Sequence, residues 1–271
     1  MTTQDPKNLA LKIRRHVVKM VHACRGSHIA SSLSIADILA VLYGSTMNIS
    51  SDDPQAETRD RFILSKGHAA AALYAALAES SFFPVEQLST YAMEGSTLLG
   101  HASHEVPGVE LSTGALGHGL PVGAGLALAA KRGGSGYRSF VLMSDGEMDE
   151  GSNWEAALFG AHHKLNNLIA IIDYNKIQSF GRVSDVLGLE PLADKWRAFG
   201  WAVMELDGHD VDALEKAFSR LQQEAEKPSV IIAHTVKGKG VSFMEDDLAW
   251  HYKPPNDDQL VEALRELGGS A

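Results

Sequence analysis

Two polar clusters in the chain carry residue types suited to chemistry. One is Ser144-Asp145-Gly146-Glu147 and the other is Asp173-Tyr174-Asn175-Lys176-Ile177, each directly after a run of apolar residues. Asp145 and Asn175 lie 30 residues apart, the length of one strand–helix–strand unit, which brings neighbouring strand ends side by side. In open parallel sheets ligands bind beyond the carboxyl ends of the strands. A carboxylate and an amide carbonyl converging there are hard oxygen ligands, suited to Mg2+ or Ca2+. Gly146 lets the backbone approach a ligand closely, and its N–H can face a phosphate. The plainer reading makes Asp145 a turn residue and helix N-cap, and an Asp-Gly pair alone does not choose between the two. A third candidate is the stretch 94–114, rich in glycine and proline, which carries His101 and His104. Long loops inside compact domains are commonly functional.

The elements that must position these residues are legible in outline. Leu9, Ile13, Val17, Met20 and Cys24 recur at spacings of three and four, one apolar face of a helix. A second helix is expected from Ser34 to Tyr43, with Asp37 its one charge, and an alanine-rich helix from Ala69 to Glu79. Arg61 to Ser65 is a short apolar run. From residue 138 the pattern becomes strand and helix in alternation. Expected strands cover 139–144, 168–173, 201–206 and 229–236, with helices over 153–164, 192–199 and 211–225 between them. Near-continuous apolar strands alternating with helices predict an α/β domain, its mostly parallel sheet covered by helices on both faces, with a helical N-terminal layer.

The 271 residues include 24 Lys and Arg against 34 Asp and Glu, a net charge of −10. That balance argues against nucleic acid or an anionic membrane as partner, since both need clustered positive charge. A phosphorylated ligand must then be held by local devices: helix N-termini, a metal or a few placed cations. A single cysteine, Cys24, excludes an intrachain disulfide and a cysteine zinc cluster. Residues 111–130 are uncharged, but Pro121 and five glycines make them a loop entering a tightly packed helix rather than a membrane span. The first twenty residues lack the apolar stretch of a signal peptide, so a cytoplasmic location is expected.

The stretch SDGEMDEGSNWEAALFGAHHKLNNLIAIIDYNKIQSFG resembles the thiamine diphosphate motif, which opens Gly-Asp-Gly and closes in Asn; Asn175 is the matching asparagine. Four further motifs resemble one subfamily, the transketolases, and fall in its order: GSHIASSLS around His28, FILSKGHAAAALYAAL around His68, LGHASHEVPGVELSTGALGHG around His101, and TVKGKGVSFMEDDLAWH ending at His251. The resemblance implies the thiamine diphosphate-binding fold and roles for particular residues. Asp145 and Asn175 would ligate Mg2+ (or Ca2+) through their side chains and Ile177 through its backbone carbonyl. Gly114 and Gly146 would lie against the cofactor. His28, His101 and His251 would handle protons and donor hydroxyls, with His68 at the diphosphate. Glu150 and Glu155 match acidic residues that members place where paired active sites meet. The sequence departs from the family pattern at Ser144, where Gly is usual, at His118, where Gln is common, and at Tyr252, where Gly often follows the histidine.

A full transketolase is more than twice as long. The resemblance therefore implies that residues 1–271 form one diphosphate-side domain, with the pyrimidine-side and C-terminal domains on a partner chain, inactive alone and active as a heterotetramer. The implied reaction moves a two-carbon glycolaldehyde unit from a ketose phosphate to an aldose phosphate, as in pentose phosphate metabolism. Two alternatives stand beside it: another thiamine enzyme of the 2-oxoacid dehydrogenase or deoxyxylulose phosphate synthase type, and a non-catalytic subunit that keeps the fold. Of the 12 histidines, His16, His22, His162, His163 and His234 read as structural, and His104 and His209 as either. The loop Lys237 to Gly240 reads equally as a plain turn or as a segment closing over the site.

Overall fold

Asp5 opens the first helix by accepting a hydrogen bond from the Lys7 N–H, and Pro6 fills a position where a missing N–H costs nothing. The computed structural model describes residues 4–221 and 226–269. Helix α1 (Pro6–Cys24) buries Leu9, Ile13, Val17 and Met20 and ends at Arg25 in the left-handed conformation. A short helix that was not expected, α2 (Ile29–Leu33), precedes the second expected helix, 34–43, which is found as α3 (Ala36–Val41) running into a π turn over Leu42–Thr46. Ser34 sits between α2 and α3: its hydroxyl bonds the Ser31 carbonyl and the Asp173 carboxylate, the local side-chain bonding that competes with helical backbone. Residues 29–46 are apolar enough to span a membrane, yet 78% of the stretch is buried inside the fold, so it serves as core.

The chain then forms β1 (Arg61–Leu64), α4 (Ala70–Glu79), a long irregular segment and α5 (Gly119–Gly133). After these come β2 (Ser139–Ser144), α6 (Gly151–His162), β3 (Leu168–Tyr174), α7 (Val183–Val186) and α8 (Leu192–Ala198). The last elements are β4 (Ala202–Asp207), α9 (Val211–Leu221), β5 (Ser229–His234) and α10 (Asp257–Glu266). The expectation that α9 runs on to 225 falls on residues 222–225, outside those described. All five strands are parallel, in the order β1-β2-β3-β5-β4. The expected α/β class holds, and the short run at 61 supplies the edge strand beside β2.

The inner strands β2, β3 and β5 read as unbroken apolar runs because both faces are covered, whereas the edge strand β4 is only partly buried. Phe62, Phe140, Leu142, Ile169, Ile171 and Ile231 pack against the N-terminal helices and α9. Their alternates Ile63, Val141, Met143, Ala170, Ile172 and Val230 pack with α5, α6 and α8. Gly123 lets α5 rest directly on β2: a Cβ there would lie 2.4 Å from Val141 Cγ2. Gly→Ala in a helix normally gains about 1 kcal/mol, but overpacking of this kind costs about 1–3 kcal/mol. Gly123→Ala is therefore predicted to lower the thermal midpoint, and the same change in a Val141→Ala background to be neutral or stabilising. Equal destabilisation in both backgrounds would contradict this packing.

Candidate functional site

The carboxyl ends of β1, β2, β3 and β5 deliver Lys66, Asp145, Asn175 and Lys237 to one cavity of about 400 Å³. Register places Ser144 opposite Asp173, so Asp145 follows β2 just where the turn after β3 begins. The Asp145 carboxylate, 2% exposed, accepts from the Gly146 N–H at 2.7 Å and from the Lys176 N–H at 2.6 Å. Lys176 adopts a positive φ of 68°, which turns that N–H toward Asp145. Asn175 donates through Nδ2 to Asp173 at 2.9 Å and accepts through Oδ1 from the Ile177 N–H. The Ile177 carbonyl accepts from the Lys237 ammonium at 2.7 Å.

Two buried lysines form the floor. Lys66 has no exposed surface; its ammonium bonds the Asp173 carboxylate at 2.6 Å and the Ser31 carbonyl at 3.0 Å. Burial alone would raise Asp173, but the Lys66 charge and the bonds from Lys66, Thr235 and Ser34 hold it below the usual carboxylate range. Lys237 is also buried, and burial with the Lys66 charge brings it down to about 8. Its ammonium lies 2.9 Å from His251 Nδ1.

Four histidines face this floor. The His28 ring centroid is 5.0 Å from those of His68 and His251 and 6.0 Å from that of His101. His28 takes a left-handed backbone with φ of 68° at the start of α2, and its N–H bonds the His251 carbonyl at 2.9 Å. The irregular segment carrying His101 is pinned by Tyr74 of α4, whose hydroxyl donates to the His101 carbonyl and accepts from the Ser103 N–H. Burial, His101 and the two lysines lower His28 to about 4. Burial, then Lys237, His28 and Lys66, lower His251 to about 3. His68 is also pushed well below its ordinary value, by burial first and Lys66 next. His28 and His251 are therefore neutral near pH 7 in the cofactor-free chain.

The cavity includes His28, His68, His101, Gly114, Asp145, Gly146, Glu150, Asn175, Ile177 and His251. It does not include Glu155, which lies on the exposed face of α6. His16, His22 and His234 pair with Glu79, Asp257 and Glu205 away from the cavity. His104 bonds Ser112, and His118 lies exposed at the start of α5. His209 is a tether: it bridges Asp37 and the Val236 N–H, while Arg14 pairs with Asp37 and bonds the Lys239 carbonyl. These contacts fix both flanks of Lys237, the residue of the 237–240 loop that lines the cavity. Lys66 escaped the sequence reading, and Asp173 entered it as a member of its polar cluster without a partner. The signal available was a charge at the carboxyl end of each of two apolar runs, 61–65 and 168–173, since a charge buried there requires a partner.

The residues present fit a metal-bound diphosphate. Asp145 is raised to about 6 by burial and by Asp173, and a cation bound beside it would offset both effects. With the Asn175 amide and the Ile177 carbonyl it forms an all-oxygen donor set suited to Mg2+ or Ca2+. Among the described residues no group of three or more His, Cys, Asp or Glu forms a metal cluster, so this mixed set is the candidate. A Cβ on Gly114 would meet only His101, at 3.7 Å; the missing side chain there leaves cavity space rather than relieving a clash.

An open parallel sheet with oxygen ligands, buried cations and imidazoles at its carboxyl edge defines a site for a phosphorylated cofactor. Residues 6–270 match the family model described as transketolase, thiamine diphosphate binding domain, and the chain belongs to that family. It is 44% identical over 256 residues to one of the subunits of the apulose-4-phosphate transketolase of Phocaeicola vulgatus, covering 94% of this chain and 91% of that protein. It is 40% identical to a 6-deoxy-6-sulfo-D-fructose transketolase subunit of Clostridium sp., covering 97% and 96%. The crystal structure of Campylobacter jejuni transketolase superposes with a TM-score of 0.92 at 30% identity, covering 98% of this chain and 43% of that one. The chain thus spans less than half of the single-chain enzyme and nearly all of the subunit relatives.

The depressed histidines predict a pH effect on the cofactor-free chain. Between about 4 and 6.5 the unfolded chain binds protons at His28 that the folded chain does not, so stability falls as pH drops through that window. His28→Asn, compatible with the left-handed backbone, is predicted to lose less stability between pH 7 and pH 5 than the wild type in urea titrations. An unchanged loss would show that His28 does not titrate low.

Proposed function

We propose that this chain is the diphosphate-side subunit of a two-chain transketolase. With thiamine diphosphate and Mg2+, the pair would transfer a two-carbon glycolaldehyde unit from a ketose phosphate to an aldose phosphate. The observation that carries the reading is the convergence of four histidines on Asp145, Asn175 and two buried lysines in one cavity. The near full-length match to proteins named as transketolase subunits supports a second chain, and a heterotetramer of two copies of each is the arrangement we propose.

Asp145, Asn175 and the Ile177 carbonyl would hold the metal, and Lys66 and Lys237 would give the diphosphate a positive floor within an acidic protein. When bound, the cofactor supplies the electron sink for cleaving a carbon–carbon bond. His28, His101 and His251 are the candidates to take the proton from the donor sugar's C3 hydroxyl, a step that needs a base titrating near working pH, and a diphosphate over the two lysines would raise His28 and His251 from their depressed values. His101, exposed at the mouth, would bind the sugar hydroxyls. The donor and acceptor are ordinary pentose phosphates or the branched and sulfonated sugars that the relatives' names describe. An intact ligand set and four clustered histidines favour a catalytic role over a decayed regulatory one.

The test is co-expression with a pyrimidine-side subunit. The pair should turn over a ketose phosphate with ribose 5-phosphate only when thiamine diphosphate and Mg2+ are present, and neither chain alone should do so. Asp145→Asn is predicted to abolish cofactor binding by the pair, because the amide lacks the charge for a cation and sets its NH2 against the Gly146 or the Lys176 N–H. Unchanged cofactor affinity would remove the metal assignment. His101→Ala should slow donor cleavage far more than it weakens cofactor binding, and equal loss of both would recast His101 as a cofactor ligand.

A further inference from the structure

Glu147 plays no part in the chemistry above, yet it has no exposed surface and its carboxylate accepts from donors on three separate segments. Oε1 takes the Ser65 hydroxyl and the Gly117 N–H at 2.9 Å, and Oε2 takes the Ser144 N–H at 3.3 Å. The Ser65 hydroxyl in turn accepts from the Gly119 N–H at 3.1 Å. Each contact adjoins a residue of the cavity. Ser65 precedes Lys66, Ser144 precedes Asp145, and Gly117 follows Leu116 and Gly114.

The glycine-rich segment has no helix or strand of its own to hold it. Gly117 takes a positive φ of 82°, and a Cβ there would lie 2.6 Å from Glu150 Cβ and Ser152 Oγ. At Gly119 a Cβ would lie 2.3 Å from the Ser65 hydroxyl. The Ser152 hydroxyl bonds the Gly117 carbonyl at 2.7 Å, and Asn153 Nδ2 bonds the Glu147 carbonyl at 2.6 Å. Filling this space would need only an apolar side chain, and a buried carboxylate is the more costly choice. What the carboxylate adds is acceptors for three loops at once.

We propose that Glu147 is a positioning residue: it clamps residues 114–119, the end of β1 and the end of β2 into the arrangement in which Gly114, Leu116, Lys66 and Asp145 face one cavity. What that cavity holds rests on the function proposed above; the clamp itself does not. In Glu147→Ala all three acceptor bonds are lost. In Glu147→Gln the shape stays, the charge goes, and an amide NH2 is set against the Ser144 N–H.

Hydrogen–deuterium exchange of the full, cofactor-free chain tests the clamp. Loss of a bond to a charged acceptor is worth about 1.5–3 kcal/mol, which corresponds to roughly tenfold to hundredfold. Peptides over 111–120 and 143–147 should exchange at least about tenfold faster in Glu147→Gln, and faster still in Glu147→Ala, with peptides from β4 and α9 unchanged. Wild-type exchange rates at 111–120 in Glu147→Gln, or a uniform increase across the chain, would overturn the proposal; Glu147→Gln alone decides if Glu147→Ala does not fold. In the assembled pair, Glu147→Gln should weaken thiamine diphosphate binding about tenfold in saturating Mg2+, by the same conversion. A wild-type pair that binds no thiamine diphosphate would sink the functional reading, while the exchange data would still judge the clamp.

Discussion

A lysine and an aspartate with no exposed surface meet at 2.6 Å where β1 and β3 end. Desolvating each ion costs several kcal/mol, offset only when further hydrogen bonds satisfy both groups. Here they do: Ser34, Thr235 and Asn175 bond Asp173, and the Ser31 carbonyl bonds Lys66. Ser31 and Ser34 come from the N-terminal helices, Asn175 from the turn after β3 and Thr235 from the end of β5, so the pair ties the N-terminal helices, three strands and the site's turns into one register. It also orients Asn175. With its nitrogen held by Asp173, the amide oxygen is turned to the segment carrying Ile177, beside Asp145.

The same buried charges set the chemistry of the cavity. A chain with net charge −10 is a poor general partner for phosphates, yet two ammonium groups are concentrated at one strand edge. Their field, added to burial, keeps His28 and His251 neutral near pH 7. Asp145 shows the complementary effect: crowded by Asp173 and out of water, its carboxylate is raised toward 6. These two lysines and the raised carboxylate are the charges that we propose hold a metal–diphosphate pair.

β2, β3 and β5 were legible because a doubly covered parallel strand leaves an unbroken apolar run, and with the partly exposed β4 they appear within two residues of their expected bounds. The helix expected at 34–43 appears as α3 and its π turn, but α2 before it was not read, since it ends at Ser34, which bonds Asp173, a residue 139 positions away. Asp145 and Asn175 were legible from strand-end position, His101 from the long loop that carries it, and His28, His68 and His251 only through resemblance, because the meeting of the four depends on loops from four parts of the chain. Lys66 and Asp173 are 107 residues apart, and no local pattern marks such a pairing. Glu155 fits the family pattern but lies outside the cavity. Glu147 was hidden for another reason: its partners are backbone N–H groups, which no side-chain motif reveals.

Calorimetric titration of thiamine diphosphate into the chain mixed with its partner subunit, with Mg2+ and then with EDTA, tests the central claim most directly. The account predicts saturable binding that requires Mg2+ and both chains. Binding that persists in EDTA, or none by a pair shown to assemble, would contradict it.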